Sequence, residues 1–115
     1  MRINKEKYIQ YAEGQQQQCV LSGDYKQGNK YANKLIEFNS IIEETEGDIA
    51  NSLIDGIINS DKPNAVMWIS LVCAKRKYRV EEIKAKLTKY SIDRDLSVFA
   101  LNAKVTLQEL EKMEA

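Results

Sequence analysis

The sequence predicts an all-α fold of about six helices, stacked as three antiparallel hairpins. Three observations carry this prediction. The glycines at positions 23 and 47 and the single proline at position 63 divide the chain into segments. Within these segments apolar residues recur every three or four positions, which is typical of helices with one buried face. No segment alternates with a period of two, and no Asn-Gly pair marks a hairpin between strands.

The helix boundaries are predicted from residues that end one helix and begin the next. Ser22-Gly23-Asp24 and Glu46-Gly47-Asp48 each combine a glycine suited to ending a helix with an aspartate suited to capping its successor. Asp61-Lys62-Pro63 marks a third start, since proline fits the first helical turn. Ser91-Ile92-Asp93 marks a fourth. The predicted helices are 4–22, 25–45, 49–59, 63–77, 80–90 and 94–113.

The first predicted helix has an irregular apolar stripe, because the glutamines at 15–18 separate Tyr8, Tyr11 and Ala12 from Cys19. We interpret the glutamines as a solvated helix face, with a polar contact surface as the alternative. Three later helices carry regular stripes. These stripes are Gly28, Tyr31, Leu35, Phe38 and Ile42 in the second helix, Val80, Ile83, Leu87 and Tyr90 in the fifth, and Leu96, Phe99, Ala103, Leu107 and Leu110 in the sixth.

The fourth predicted helix is apolar nearly all round, from Ala65 to Ala74. A helix of this kind is covered on most sides, so we expect it in the middle of the stack, with Trp68 in the core. A buried strand is the alternative interpretation. The proline at its start and the basic residues Lys75, Arg76 and Lys77 at its end favour a helix, because cations suit a helix C-terminus.

Length and composition predict one globular domain, residues 1–115. The chain is 43% hydrophobic and 30% charged, and its 17 basic and 17 acidic residues give no net charge that would indicate nucleic acid or a membrane. The N-terminus has no apolar signal region, and the longest apolar stretch is about half of a membrane span. We therefore expect a cytoplasmic protein with no membrane contact. Cys19 and Cys73 are expected to be buried free thiols, although a disulfide between them is possible in principle.

The residue types predict no active site. Since the chain has no histidine, His-based nucleophilic triads and His-metal sites are excluded. Glu43, Glu44, Glu46 and Asp48 could hold a hard cation such as magnesium, but we interpret them as a solvated helix end. Asp93 and Asp95 are best explained by capping and first-turn charge. We expect a protein that is not an enzyme and binds no metal or cofactor.

Charge is distributed unevenly along the chain. From residue 35 to residue 61 there are seven acidic and no basic residues, whereas from 75 to 89 there are seven basic and two acidic ones. The acidic segment could bind a basic protein, such as a nuclease-type toxin, through Glu43, Glu44, Glu46, Asp48 and Asp55. The basic segment could bind nucleic acid through Lys75, Arg76, Lys77, Arg79 and Lys84.

In the nucleic-acid interpretation, Tyr78 would stack on an unpaired base. The acidic segment and the two glutamates inside the basic one, Glu81 and Glu82, weigh against that interpretation. Attraction between the two segments of different copies would make a homo-oligomer, and the simplest alternative is that these charges are only solvated.

Short motifs give a resemblance to a known family. Asp61-Lys62-Pro63-Asn64-Ala65-Val66 resembles the start of the second helix of a HEAT repeat, with Met67 where the usual arginine stands. The chain has Gly23-Asp24 and Asn29-Lys30 early, this Asp-x-Pro turn in the middle, and a final segment from Ala100 through Leu107 and Glu109-Leu110. This order is similar to that of a small HEAT-like bacterial family of unknown function.

The resemblance implies a HEAT-like, solenoid-like stack of three helix pairs, near 1–46, 48–79 and 80–113, and no catalytic residues. Some small helical families of this kind accompany bacterial toxins as immunity proteins. The predicted function is therefore a non-catalytic protein-interaction module of the immunity type. The alternative is a nucleic-acid-binding accessory domain.

Overall fold

The computed structural model describes residues 3–15, 25–96 and 98–114. Within these ranges it contains six α-helices and no β-strand, so the all-α class with six helices is confirmed. The helices are α1 (Lys5–Gln15), α2 (Tyr25–Glu44), α3 (Asp48–Asn59), α4 (Pro63–Arg76), α5 (Val80–Ser91) and α6 (Val98–Glu114), and a 3-10 turn (Arg94–Leu96) precedes α6.

Most boundaries lie within one residue of their predicted positions. Gly47 has φ +80°, the left-handed region that favours glycine, and Pro63 occupies the first turn of α4 as predicted. Asp48 differs from the prediction. Gly47 is the N-cap of α3 without a side-chain capping bond, and Asp48 lies inside the first turn, where its charge suits the helix dipole. The predicted continuation of α1 over 16–22, which includes Cys19, lies outside the described residues.

The start of α6 was predicted at residue 94, but the helix begins at Val98. The local hydrogen bonds of Asp93 explain the difference. Its side-chain oxygen accepts a bond from the Asp95 amide at 3.0 Å, and its carbonyl accepts one from the Leu96 amide at 3.2 Å. Such short-range bonds compete with the α-helical pattern and produce the tighter 3-10 turn.

Helix α4 lies at the centre of the molecule, as its all-round apolar sequence predicted. It packs against each of the other five helices, and its buried residues face several directions. Helices that are neighbours along the chain also pack together, α1 with α2, α3 with α4, α4 with α5 and α5 with α6. A buried hydrophobic cluster draws side chains from all six helices. Each large aliphatic side chain in it contributes roughly 1.5–3 kcal/mol to stability.

Buried hydrogen bonds fix α1 and α2 onto α4. The Tyr8 hydroxyl donates to Asn39 Oδ1 at 2.7 Å, and Asn39 Nδ2 donates to the Trp68 carbonyl at 3.0 Å. On the other side, Asn64 Nδ2 donates to the Ala12 carbonyl at 2.6 Å. Burial raises the pKa of Tyr8 well above its ordinary value, so this hydroxyl remains a hydrogen-bond donor. The arrangement sets the registry of three helices.

Candidate functional site

The acidic and basic segments, distant in sequence, lie against each other. Lys75 Nζ is 3.3 Å from Glu43 Oε1, which joins the end of α4 to α2. Arg79 Nη1 is 2.7 Å from Asp55 Oδ1, which joins the link after α4 to α3. Part of the charge asymmetry of the sequence is therefore neutralised within the chain.

Arg76 is a structural residue that caps the C-terminal end of α2. Its Nη1 donates to the carbonyl of Ile42 at 3.2 Å and to that of Thr45 at 2.7 Å, and its Nη2 donates to Asn51 Oδ1 at 3.2 Å. The last carbonyls of a helix have no intrahelical N–H partner, and this guanidinium supplies one. Its Nε is buried without a hydrogen-bond partner in the described part of the chain. The side chain thus ties α2, α3 and α4 together.

Asp55 holds the short link between α4 and α5. It accepts hydrogen bonds from the Tyr78 hydroxyl and from Arg79 Nη1, both at 2.7 Å. Burial alone would raise the pKa of Asp55, but these two hydrogen bonds outweigh it and lower the pKa. Lys77 and Arg79, on either side of Tyr78, both have left-handed φ angles near 55°, so the chain reverses sharply here.

A similar arrangement holds the far end of α5. Asp61 accepts a hydrogen bond from the Tyr90 hydroxyl and another from Lys86 Nζ at 3.1 Å. The bond from Tyr90, followed by that from Lys86, lowers the pKa of Asp61. A tyrosine and a cation therefore join each end of α5 to an aspartate, Asp55 within α3 at one end and Asp61 just after α3 at the other.

The five basic residues proposed to bind nucleic acid are mostly engaged inside the molecule. Arg76 caps α2, and Arg79 also contacts Glu82 in addition to Asp55. Lys75 pairs with Glu43, and Lys84 lies 3.7 Å from Glu81. Lys77 differs, because it is exposed and makes no ion pair with any residue that the structure describes. Tyr78, whose ring would stack on a base in that interpretation, donates its hydroxyl to Asp55.

The five acidic residues proposed to bind a partner divide into two groups. Glu43 and Asp55 are the two that form internal ion pairs. Glu44, Glu46 and Asp48 are exposed at the connection between α2 and α3, and none of their side chains has an ion-pair or hydrogen-bond partner among the described residues. Three like charges thus lie within five positions of the chain, and no side chain that the structure describes pairs with them.

Two exposed isoleucines flank these carboxylates. Ile41, in the last turn of α2, is 39% exposed, and Ile49, in the first turn of α3, is 66% exposed. We name the set Ile41, Glu44, Glu46, Asp48 and Ile49 the acidic turn. The sequence interpretation missed both isoleucines. A signal was present, because Ile41 lies one position before the buried stripe residue Ile42 and so falls outside the buried stripe of α2.

The described residues give little support for a metal site or for a reactive thiol. No three Asp, Glu or Cys side chains among them come together as a cation site would require. Cys73 is a buried free thiol, as predicted, and burial raises its pKa to about 12. At neutral pH it is therefore protonated and a poor nucleophile. No helix within the described ranges is both long enough and apolar enough to cross a membrane.

Comparison with known proteins gave no match to this chain, whether among family models, curated proteins or solved structures. The resemblance to HEAT repeats therefore stays a prediction from short motifs. The function of the chain is inferred from its own surface.

Proposed function

We propose that this chain is a non-catalytic protein-interaction module that binds a basic partner protein through the acidic turn. The observation that carries the proposal is the group of carboxylates, Glu44, Glu46 and Asp48, which pair with none of the described residues and lie beside two exposed isoleucines. Carboxylates of one sign attract a basic surface over a distance and speed its association. Exposed aliphatic side chains then supply apolar area that is removed from water in the complex.

The internal contacts of the basic segment favour this proposal over nucleic-acid binding. A phosphate that approached Arg76 or Arg79 would have to displace hydrogen bonds that hold helices together. Lys75 and Lys84 are also near carboxylates. Phosphate affinity rises with the number of free cations, and this region offers few. The same internal ion pairs leave less charge for attraction between the acidic and basic segments of different copies. We therefore do not propose a homo-oligomer based on charge.

The most concrete form of the proposal is an immunity protein that acts in the bacterial cytoplasm. A toxin that cleaves nucleic acid needs a basic substrate-binding surface, and a protein that covers this surface with carboxylates would block it. The HEAT-like family resemblance and the charge pattern support this form. It predicts that a neighbouring reading frame encodes a large secreted protein with a toxic C-terminal domain.

A co-expression experiment tests the proposal. The C-terminal domain from that neighbouring frame is expressed alone, with the wild-type chain, and with a Glu44→Gln, Glu46→Gln, Asp48→Asn variant. We expect lethality alone, survival with the wild-type chain and weaker protection with the variant. With the purified proteins at low salt, the variant should associate roughly tenfold or more slowly than the wild-type chain. Glu111→Gln is the matched control, since Glu111 is another exposed carboxylate, far along α6. Equal protection by the variant, or none by the wild-type chain, would refute the proposal.

A gel-shift experiment separates the alternative. We expect no retardation of single- or double-stranded DNA or RNA at low salt. Retardation that is lost in a Lys77→Glu variant would contradict the proposed function and favour the nucleic-acid interpretation.

A further inference from the structure

Two residues of the link between α4 and α5 have an unfavourable backbone conformation. Lys77 has φ +55° and Arg79 has φ +54°, the left-handed region that residues with a Cβ adopt only at a cost. Lys77 directly follows the last residue of α4, and the amide of Tyr78 donates to the carbonyl of Cys73 at 2.9 Å. Many helices end with this arrangement, but glycine usually occupies the left-handed position. The link therefore holds backbone strain that a glycine would avoid.

Two other links of the fold show the contrast. Between α2 and α3 the left-handed residue is Gly47, which adopts φ +80° without strain. Between α3 and α4 it is Asp61, and Pro63 two positions later prevents these helices from joining into one. The link between α4 and α5 has neither feature, because the sequence from 64 to 91 contains no glycine and no proline. Its lysine and arginine are good helix formers, so the link is free to continue as a helix.

An unbroken helix through the link keeps the buried stripes of α4 and α5 in register. The stripe positions are separated in turn by four, three, four, three and four residues, at Ile69, Cys73, Arg76, Val80, Ile83 and Leu87. This is the spacing of one face of a continuous helix. The polar member, Arg76, is itself partly buried. A helix from 63 to 91 would be about 43 Å long.

Helices α5 and α6 form a unit that rests mainly on α4. They pack most extensively on each other, and their other large helix contacts are both with α4. The packing on α4 is incomplete, since a groove of about 320 Å³ lies between α4 and α6. Trp68, which was expected in the core, lines this groove and is only partly buried. Detachment of the unit would therefore uncover α4 while α5 and α6 stay packed on each other.

We propose that two copies of this chain exchange their α5–α6 units, with α4 and α5 joined into one helix in each copy. The α5–α6 unit of each copy then packs on α4 of the other, so the apolar contacts of the monomer form again between chains. The contacts of Lys86 and Tyr90 with Asp61 form again in the same way. The link is what differs between monomer and dimer, because its left-handed residues become helical. Short links under strain favour such an exchange.

One contact of the closed link opposes the exchange. Asp55 accepts hydrogen bonds from Tyr78 and Arg79, and both donors lie in the link, so straightening breaks these bonds. The Asp55 side chain is 40% exposed, and its ion pair with Arg79 therefore contributes little to the closed form. The exchange leaves α2 and α3 as they are. The inference is thus independent of the acidic turn and of the proposed function.

The oligomeric state of the full chain tests the proposal. The protein is concentrated, warmed to a temperature below its unfolding midpoint so that the units can detach, cooled, and examined by sedimentation equilibrium. We expect a dimer that dissociates slowly on dilution, because α5 and α6 must leave α4 before the chains separate. A chain that stays monomeric after this treatment would overturn the proposal.

Three substitutions test whether strain in the link drives the dimer. Lys77→Gly removes the strain of one left-handed residue, roughly fivefold for each link, and should lower the dimerisation constant by about 25-fold or more, because a dimer contains two links. Lys77→Ala is the matched control, since it removes the same charge but keeps a Cβ, and should change the constant by less than about threefold. Asp55→Ala removes the contact of the closed link and should raise the constant. An unchanged constant in Lys77→Gly, or an equal fall in Lys77→Ala, would overturn the proposal.

A mixing experiment distinguishes an exchanged dimer from a dimer of closed chains. One chain carries Asp61→Lys and the other carries Lys86→Asp, two positions that pair at 3.1 Å in the monomer, so like charges face each other within each variant. In an exchanged dimer of the two chains, the two substituted positions meet, and the wild-type pair forms on the other side. We expect native mass spectrometry of the mixture to show mainly the mixed dimer. A binomial mixture would overturn the proposal, because positions 61 and 86 would then still face each other within one chain.

Discussion

The structural role assigned to Arg76 leads to a prediction about stability. The change is Arg76→Met, which keeps an unbranched apolar stem in place of the arginine stem and removes every donor. The wild-type guanidinium makes three hydrogen bonds, to the carbonyls of Ile42 and Thr45 and to Asn51. A hydrogen bond from a charged donor contributes about 1.5–3 kcal/mol. The bonds at 3.2 Å are weaker than the one at 2.7 Å, and exposure of the helix end lets water replace part of the loss.

We therefore expect Arg76→Met to lower the free energy of unfolding by about 2–4 kcal/mol. The assay is equilibrium urea unfolding, followed by far-UV circular dichroism, with the midpoint and the slope compared between variants. Lys75→Met, at the preceding position, is the matched control. Its exposed ion pair with Glu43 should contribute less than about 1 kcal/mol. Equal losses for the two variants would refute the capping role of Arg76.

Three further predictions concern the core and the links of α5. Asn39→Ala should cost about 2–3 kcal/mol, because it leaves the buried Tyr8 hydroxyl without its acceptor and removes the bond from Asn39 to the Trp68 carbonyl. The exposed Asn33→Ala should cost less than about 0.5 kcal/mol in the same urea experiment, and similar losses would contradict the buried network. Asp55 and Asp61 both have a pKa below the usual value of 3.8, so their contribution to stability is complete above that pH and is lost as the pH falls through the folded-state pKa values. A double variant, Asp55→Asn with Asp61→Asn, should therefore lose less stability on acidification than the wild-type chain. Parallel pH profiles of stability for the two proteins would be inconsistent with these hydrogen bonds. Burial raises the pKa of Cys73 to about 12, so in a Cys19→Ser background iodoacetamide should label Cys73 at neutral pH only after the protein has been unfolded. Rapid labelling of the folded protein would count against the burial of Cys73.

Much of the fold could be predicted because its signals are local. Gly47 and Pro63 each act through their own backbone, by a positive φ angle and by a fixed first-turn geometry. The start of α6 could not be placed, since it depends on whether the Asp93 side chain bonds to the Asp95 amide. The central position of α4 followed from its apolar sequence. Trp68 shows the limit of that argument: an all-apolar helix does not reveal which side its neighbours leave uncovered.

The candidate site could be predicted only in part. The sequence identified the acidic and basic segments, but pairing of Glu43 with Lys75 depends on how α2 packs against α4, over a separation of 32 positions. The same applies to Arg76, whose acceptors are mostly backbone carbonyls and carry no signature in the sequence. Glu44, Glu46 and Asp48 were correctly placed at a helix end, which has few neighbours to neutralise them.

The central claim is that the basic segment holds the fold together while the acidic turn is free to bind. Its most direct test is a map of backbone amide chemical shifts in the isotope-labelled chain, titrated with a short oligolysine peptide and separately with a single-stranded oligonucleotide of matching charge. We predict that oligolysine shifts the amides from Ile41 to Ile49, and that the oligonucleotide leaves residues 75–84 unchanged. Shifts at 75–84 with the oligonucleotide, together with an undisturbed acidic turn, would contradict the claim.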